Sequence, residues 1–190
     1  MFEIQKFTDA LKLDGARPNL FQVTMAGIPN SVGESLSFLA KSAQLPGSTL
    51  GIVPLFYQGR EVKFAGNRTF ADWTITVIND EGFLIRNSME KWMNGINSHE
   101  KNLRNMSQVL STPSATSNIA YTVDAQVNQY AKDNDKTPIK SYNFVGMFPV
   151  DLSPIDLDWG TNDTIEEFTV TFAYQYWTTG TNGAMTGITT

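Results

Sequence analysis

Apolar positions recur along this chain with two different periods. Between Ala71 and Asn79 the period is two, with Trp73, Ile75 and Val77 on one face and Thr74, Thr76 and Ile78 on the other. That alternation predicts a strand over 71–79. A few residues later Ile85, Met89, Trp92 and Ile96 fall at i, i+4, i+7 and i+11, which is one face of a helix. Asn79 or Asp80 can cap that helix, and Glu81 suits its positive N-terminal end. Gly95 and Asn97 mark its exit. Period two returns near the end: Phe168, Val170, Phe172, Tyr174 and Tyr176 alternate with Thr169, Thr171, Ala173 and Gln175, predicting a last strand over 165–177.

The other elements are read in the same way. Residues 1–18 form a polar, weakly helical arm that ends at Pro18, which pushes Arg17 toward an extended conformation. Phe21, Val23 and Met25 make a core-facing strand within 19–26, followed by a loop from Gly27 to Ser35. Leu36 to Leu45 reads as a strand closed by Pro46-Gly47. Ala125–Lys132 and Ile139–Phe148 read as strands, the second stopped at Pro149. Val150 to Gly160 is a turn-rich connector carrying Asp151, Pro154, Asp156 and Asp158. Residues 98–122 are the least regular, and Ser107–Asn118 is rich in Ser and Thr around Pro113, as an exposed loop insertion would be. From Thr178 the chain is Gly- and Thr-rich and reads as flexible. About seven strands and one helix predict a mainly β fold, a sandwich or barrel with one flanking helix. The expected core is Trp73, Ile75, Val77, Ile85, Met89, Trp92, Phe168, Val170 and Phe172. No repeat of about 20–50 residues is visible. One domain over 1–177, with the 98–122 loop inside it, and a flexible tail over 178–190 complete the organisation.

One segment does not fit a simple sandwich. Val53–Tyr57 and Arg60–Phe64 predict a hairpin around Gln58-Gly59. It sets Arg60, Glu61 and Lys63 beside Phe56, Tyr57 and Phe64, so neither face is cleanly polar. Ordinary burial within a sandwich is one reading. A strand pair that joins a sheet shared between subunits is the other.

Composition narrows the chemistry. With 190 residues and 41% hydrophobic, the chain can bury a sizeable core. Twelve Phe, six Tyr and four Trp favour pleated surfaces. The net charge is -5, without a dense basic run, which argues against tight binding to a nucleic-acid backbone. Zero cysteines exclude disulfides, thiolate catalysis and Cys-based zinc sites. No apolar run reaches the roughly 18 residues of a membrane span, and residues 1–7 do not read as a signal peptide. The single histidine, His99, lies among Asn97, Ser98, Glu100 and Lys101 and reads as a surface residue. No Gly-x-Ser-x-Gly elbow accompanies it. Asp133-Asn134-Asp135 opens like a calcium loop, but Pro138 and Phe144 stand where the pattern needs Gly and Glu. Asp156-Leu157-Asp158 reaches Glu167 at the twelfth place, but its fifth and sixth places hold Gly160 and Thr161. No phosphate-binding glycine motif occurs. No cofactor, no metal and no catalytic residue is expected.

The stretch from Gly59 through Phe64, Gly66-Asn67-Arg68-Thr69 and Trp73 to Glu81 resembles the central motif of tail tube proteins of contractile-tailed, T-even-like bacteriophages. The resemblance begins at Ala16-Arg17-Pro18-Asn19-Leu20-Phe21-Gln22-Val23. It returns at Val127–Ala131, at Gly146-Met147-Phe148-Pro149, and at Leu157-Asp158-Trp159 through Phe168–Trp177. It implies two packed β-sheets with a flanking helix, of the kind shared with type VI secretion tube proteins. It also implies hexameric rings stacked into the inner tube of a contractile tail, as a structural virion protein assembled in the host cytoplasm. The implied partners are further copies of the chain, the sheath, tape-measure, baseplate and tail-terminator proteins. DNA would pass through the lumen without specific binding, and no membrane is involved. The alternative is a tube ring of a type VI or tailocin-like injection apparatus. In that frame Phe56, Tyr57, Gly59, Arg60, Glu61, Lys63 and Phe64 are the expected inter-subunit hairpin. If the acidic charge reaches the lumen, DNA slides instead of adhering.

Overall fold

The computed structural model describes residues 3–11, 15–104, 110, 114, 119–132 and 137–180. Nine strands and three α-helices are found among them: α1 (Ile4–Ala10), β1 (Phe21–Met25), α2 (Gly33–Leu39), β2 (Ala40–Ala43), β3 (Thr49–Tyr57), β4 (Arg60–Thr69), β5 (Trp73–Ile78), α3 (Leu84–Ile96), β6 (Val123–Tyr130), β7 (Pro138–Leu152), β8 (Glu167–Ala173) and β9 (Tyr176–Gly180). No helix among them is long and apolar enough to cross a membrane.

The strands run in the order β1-β6-β7-β8-β5-β2, with β9 also paired to β7, and every pairing is antiparallel. Strand β7 belongs to both halves of this sheet. Its first part pairs with β6 and β9, and its last part pairs with β8. The change of side occurs at Gly146, where φ is 67° and one extra residue enters β7 opposite Asp124. The Asp124 carboxylate accepts the Gly146 N–H at 3.1 Å and the Ser114 hydroxyl at 2.7 Å, which fixes the bulge. The two halves then fold onto each other. Val23, Met25, Val123, Val127 and Phe144 from one half meet Trp73, Ile75, Val77, Phe168, Val170 and Phe172 from the other in one buried core. The Trp73 and Phe144 ring centroids are 4.8 Å apart.

Helix α3 adds Ile85, Met89 and Trp92 to this core, all fully buried. Its Trp92 donates from Nε1 to the Tyr121 carbonyl at 2.9 Å, so the indole can be buried with its one polar atom satisfied. The N-cap is Phe83, in a left-handed conformation, and Asp80 serves the first turn by accepting the Leu84 N–H. Asn79 donates instead to Glu166.

Five expectations need correction. Leu36–Leu45 is not one strand but α2 followed by β2. Leu36, Leu39 and Ala40 share the i, i+3, i+4 spacing of a helix and reach the core, while Phe38 points outward and is exposed. β7 does not stop at Pro149 but runs to Leu152. A proline missing its N–H is tolerated there because this part of β7 is paired only with β8, leaving its other side as a sheet edge. The expected last strand is two strands, β8 and β9, broken at Tyr174-Gln175 where the chain crosses to the other half of the sheet. Three helices replace the single one expected. Thr178–Gly180 lie inside β9, so the tail boundary at 177/178 falls within a strand; residues 181–190 are outside the described residues. Most of Ser107–Asn118 and all of Asp133-Asn134-Asp135 are also outside them.

Candidate assembly interface

Strands β3 and β4 form a separate two-stranded sheet that leaves the sandwich. Chemistry at its apex makes the turn. Gln58 and Gly59 have φ of 48° and 79°, the double positive φ of a type I′ turn that matches the twist of the flanking strands. The pairs are Tyr57↔Arg60, Phe56↔Glu61, Leu55↔Val62, Pro54↔Lys63, Val53↔Phe64 and Ile52↔Ala65. Because side chains alternate and opposite residues share a face, this register sorts the hairpin into two faces. Val53, Leu55, Val62 and Phe64 form an apolar one, which ends at the tip in Tyr57 and Arg60. The other is mixed: Ile52, Pro54, Phe56, Glu61, Lys63 and Ala65. Apart from Arg60 at the tip, the charged residues of the turn region, Glu61 and Lys63, lie on the second face.

Nothing covers either face among the described residues. Phe56 is 70% exposed, Leu55 58%, and Val53 and Phe64 53% each. Isolated two-stranded hairpins are marginal in water, and contiguous exposed apolar side chains are the kind of surface that a partner covers. Arg60, Glu61, Lys63 and Arg68 make no ion pair among the described residues.

The root of the hairpin is held firmly. Trp73 donates from Nε1 to the Gln44 carbonyl at 2.6 Å, and Trp177 to the Gly47 carbonyl at 3.2 Å. Phe70 rests on Tyr174 and Trp177, with centroids 6.0 and 6.3 Å away. One turn above the root, β4 carries an extra residue opposite Gly51, where the register shifts between Leu50 and Ile52. A Cβ on Gly66 would lie 3.0 Å from the Gly51 carbonyl carbon, so the strands can approach there only because both residues are glycine.

The remaining candidate residues separate cleanly from this surface. Trp73, Ile75, Val77, Ile85, Met89, Trp92, Phe168, Val170 and Phe172 are all buried in the sandwich. His99 is exposed just beyond α3, and its backbone N–H donates to Asn94 Oδ1. Among the described residues no cluster of three or more His, Cys, Asp or Glu could hold a metal. An exposed apolar group that periodicity does not single out lies between β7 and β8: Leu157, Trp159 and Ile165 are 80%, 101% and 72% exposed. Only the chemical oddity of Trp159 among Asp156, Asp158 and Asp163 hints at it in the sequence.

The sequence profile of the family described as "Phage tail tube protein" matches residues 11–180. The tail tube protein gp19 of Enterobacteria phage T4 is 35% identical over 164 residues, covering 86% of this chain and 91% of that one. The tail tube protein of Serratia phage KSP90 is 26% identical over 189 residues, covering 92% and 95%. Among solved structures, a chain of the anti-feeding prophage cap superposes with a TM-score of 0.61 at 17% identity, covering 87% of this chain and 91% of its own. A chain of the sheath-tube complex of an extracellular contractile injection system gives 0.55 at 14% identity, covering 92% and 97%. At those identities the two structures speak for a common fold.

Proposed function

Taking as premise that this chain belongs to the phage tail tube protein family, we propose that it builds the inner tube of a contractile tail from stacked hexameric rings, with its exposed hairpin as the element that joins subunits. Its role is structural. The observation that carries the reading is the β3-β4 hairpin, which projects an apolar face of Val53, Leu55, Val62 and Phe64 that no described residue covers. Pairing with a neighbour's strands buries those side chains and satisfies free strand edges, and closure around a ring leaves no edge exposed. At about 25 cal/mol per Å² of apolar surface removed from water, burial of several such side chains per subunit is a large driving force.

The finer consequences follow from that reading. DNA crosses the lumen during ejection without specific binding, provided that the acidic charge of the subunit, net -5, reaches the lumen and leaves phosphates without cationic partners. A tape-measure protein fills the lumen beforehand. The sheath surrounds the tube, and baseplate and terminator proteins close its ends. The tube assembles in the host cytoplasm, becomes part of the virion, and performs no catalysis. Identity of 35% to a phage tail protein favours a phage tail over a secretion apparatus.

Electron microscopy of the purified protein tests the proposal. Rings of six, or tubes, are expected; a protein that stays monomeric at every concentration tried would sink it. Density maps of the tube test the lumen: a positive inner surface would contradict free sliding of DNA.

A further inference from the structure

The hairpin and the Leu157–Trp159 loop stand at opposite ends of one sheet. β5 begins at Trp73, opposite Phe172, and ends at Ile78, opposite Glu167. The hairpin rises from the Trp73 end, where β2 leads into β3 and β4 leads into β5. The 153–166 loop joins β7 to β8 and enters β8 at Glu167, the far end. The six residues of β5 span about 20 Å, and the nine residues of β3 reach about 30 Å beyond the root. A hairpin therefore cannot reach the loop of its own chain, but it can reach that of a copy stacked end to end.

The loop is built to hold an aromatic residue outward. Asp158 Oδ1 accepts the Gly160 N–H at 2.9 Å, and the Asp158 carbonyl accepts the Thr161 N–H at 3.2 Å. This turn presents Trp159 at full exposure, with Leu157 beside it. Trp is among the residue types that dominate interface energies, and such a ring left in water is costly.

Charge is divided between the same two places. Residues 153–166 carry Asp156, Asp158, Asp163 and Glu166 and no basic residue, a net of -4; the chain has no Lys or Arg after Lys140. The hairpin, residues 49–69, carries Arg60, Lys63 and Arg68 against Glu61, a net of +2 in a chain of net -5. One end is thus basic and apolar, the other acidic and apolar. Two different but complementary patches on one chain make a heterologous contact, which repeats along an axis.

We propose that Leu157 and Trp159, with Asp156 and Asp163 around them, form the seat that receives the hairpin tip (Phe56, Tyr57, Arg60 and Lys63) of a second copy of this chain in the next ring. This rests on the tube reading above and assigns the axial contact, distinct from the lateral contacts that close a ring. The seat selects its partner by charge: the basic hairpin tip is drawn to the acidic loop, while two like ends repel.

The test reverses the charge of the seat while leaving the Asp158 turn intact. In Asp156→Lys with Asp163→Lys, rings should persist and tubes should vanish in electron micrographs and sedimentation. Adding Arg60→Glu and Lys63→Glu to the same chain should bring tubes back. Because the chain has no cysteine, Gln58→Cys with Thr161→Cys gives a second readout that does not depend on charge. Oxidised tubes of the double variant should run as a ladder of linked chains on denaturing gels, whereas either single variant should give no ladder. Wild-type-like tubes from the Asp156→Lys, Asp163→Lys chain, or tubes of the cysteine pair that form no ladder, would overturn the seat while leaving the tube reading standing. A wild-type chain that forms neither rings nor tubes would overturn both.

Discussion

At the scale of single residues, the strongest constraints sit where a side chain does two things. Trp73 fills the core between Phe144 and Phe172, with centroids 4.8 and 5.9 Å away, and donates to Gln44 at the hairpin root. Trp73→Ala removes both, and should cost about 3–5 kcal/mol of stability in denaturant titrations, as large aromatic truncations do. A loss below about 1 kcal/mol would place Trp73 outside the effective core. Gly33 is constrained by space: a Cβ there would lie 2.2 Å from the Met25 carbonyl oxygen, where α2 lies against β1. Gly33→Ala should cost about 1–3 kcal/mol, as overpacking does, seen as a lower midpoint with an unchanged denaturant slope. Tyr174 supplies a pH dependence. Burial, and then the Asp72 carboxylate, raise its phenol above the ordinary value of 10.0. The folded state therefore holds this proton more tightly than the unfolded chain does. The stability it contributes is complete below the unfolded value and is lost as pH rises through the higher folded one. Thermal melts above pH 10 should fall less steeply for Tyr174→Phe than for the wild type; parallel curves would count against it.

At the scale of elements, the hairpin turn is the test case. Gly59 sits at φ 79° with open space around the position of a Cβ, so a substitution there is penalised by backbone strain and not by a clash. A β-branched residue is a true outlier at that angle. Gly59→Val should keep the sandwich folded, since the turn lies far from the core, and should reduce polymerisation in light-scattering assays. Gly59→Asn, which tolerates a left-handed conformation, should polymerise normally. Tubes from the Val variant at wild-type rates would separate turn geometry from assembly. The turn was legible because Gln58-Gly59 lies between two apolar runs, and α3 because Ile85, Met89 and Trp92 keep their helical spacing. Other elements were not. Leu36 to Ala40 satisfies both periods, and the choice of helix depends on docking against β1 through Gly33, a packing contact that periodicity within the segment does not show. The crossing of β7 between sheet halves depends on Gly146 and Asp124, which are 22 residues apart. Local pattern carries no information about such a pair. Trp159 escaped periodicity because it lies on neither a strand nor a helix, where exposure is set by the turn at Asp158 alone.

At the scale of the whole molecule, the buried core and the proposed assembly element lie in different parts of the chain. No residue of β3 or β4 belongs to the buried cluster or to the hydrophobic residues packed against it; in the span between Ala43 and Trp73 the contacts to its margin are those of Gln44, Gly47 and Phe70 at the root. The sandwich core is closed without the hairpin, and the hairpin's own apolar face gains little while it stays in water. Removing the hairpin should therefore leave a folded protein that cannot assemble. Thr49 and Thr69 are paired across the root, so residues 50–68 can be replaced by Asn-Gly, whose two-residue turn suits that geometry. The shortened chain should melt cooperatively, with a midpoint within about 4 °C of a monomeric full-length reference, the shift expected for roughly 1 kcal/mol at this size. Sedimentation velocity should show one monomeric species at concentrations where the full chain forms rings or tubes. An unfolded product would mean that the hairpin supports the core through contacts other than those at its root. A product that still polymerises would move the main interface onto the sandwich. Retained folding with loss of assembly is the outcome expected of a chain whose described core stops at the Trp73 end of the hairpin root and whose hairpin leaves Val53, Leu55, Phe56 and Phe64 exposed.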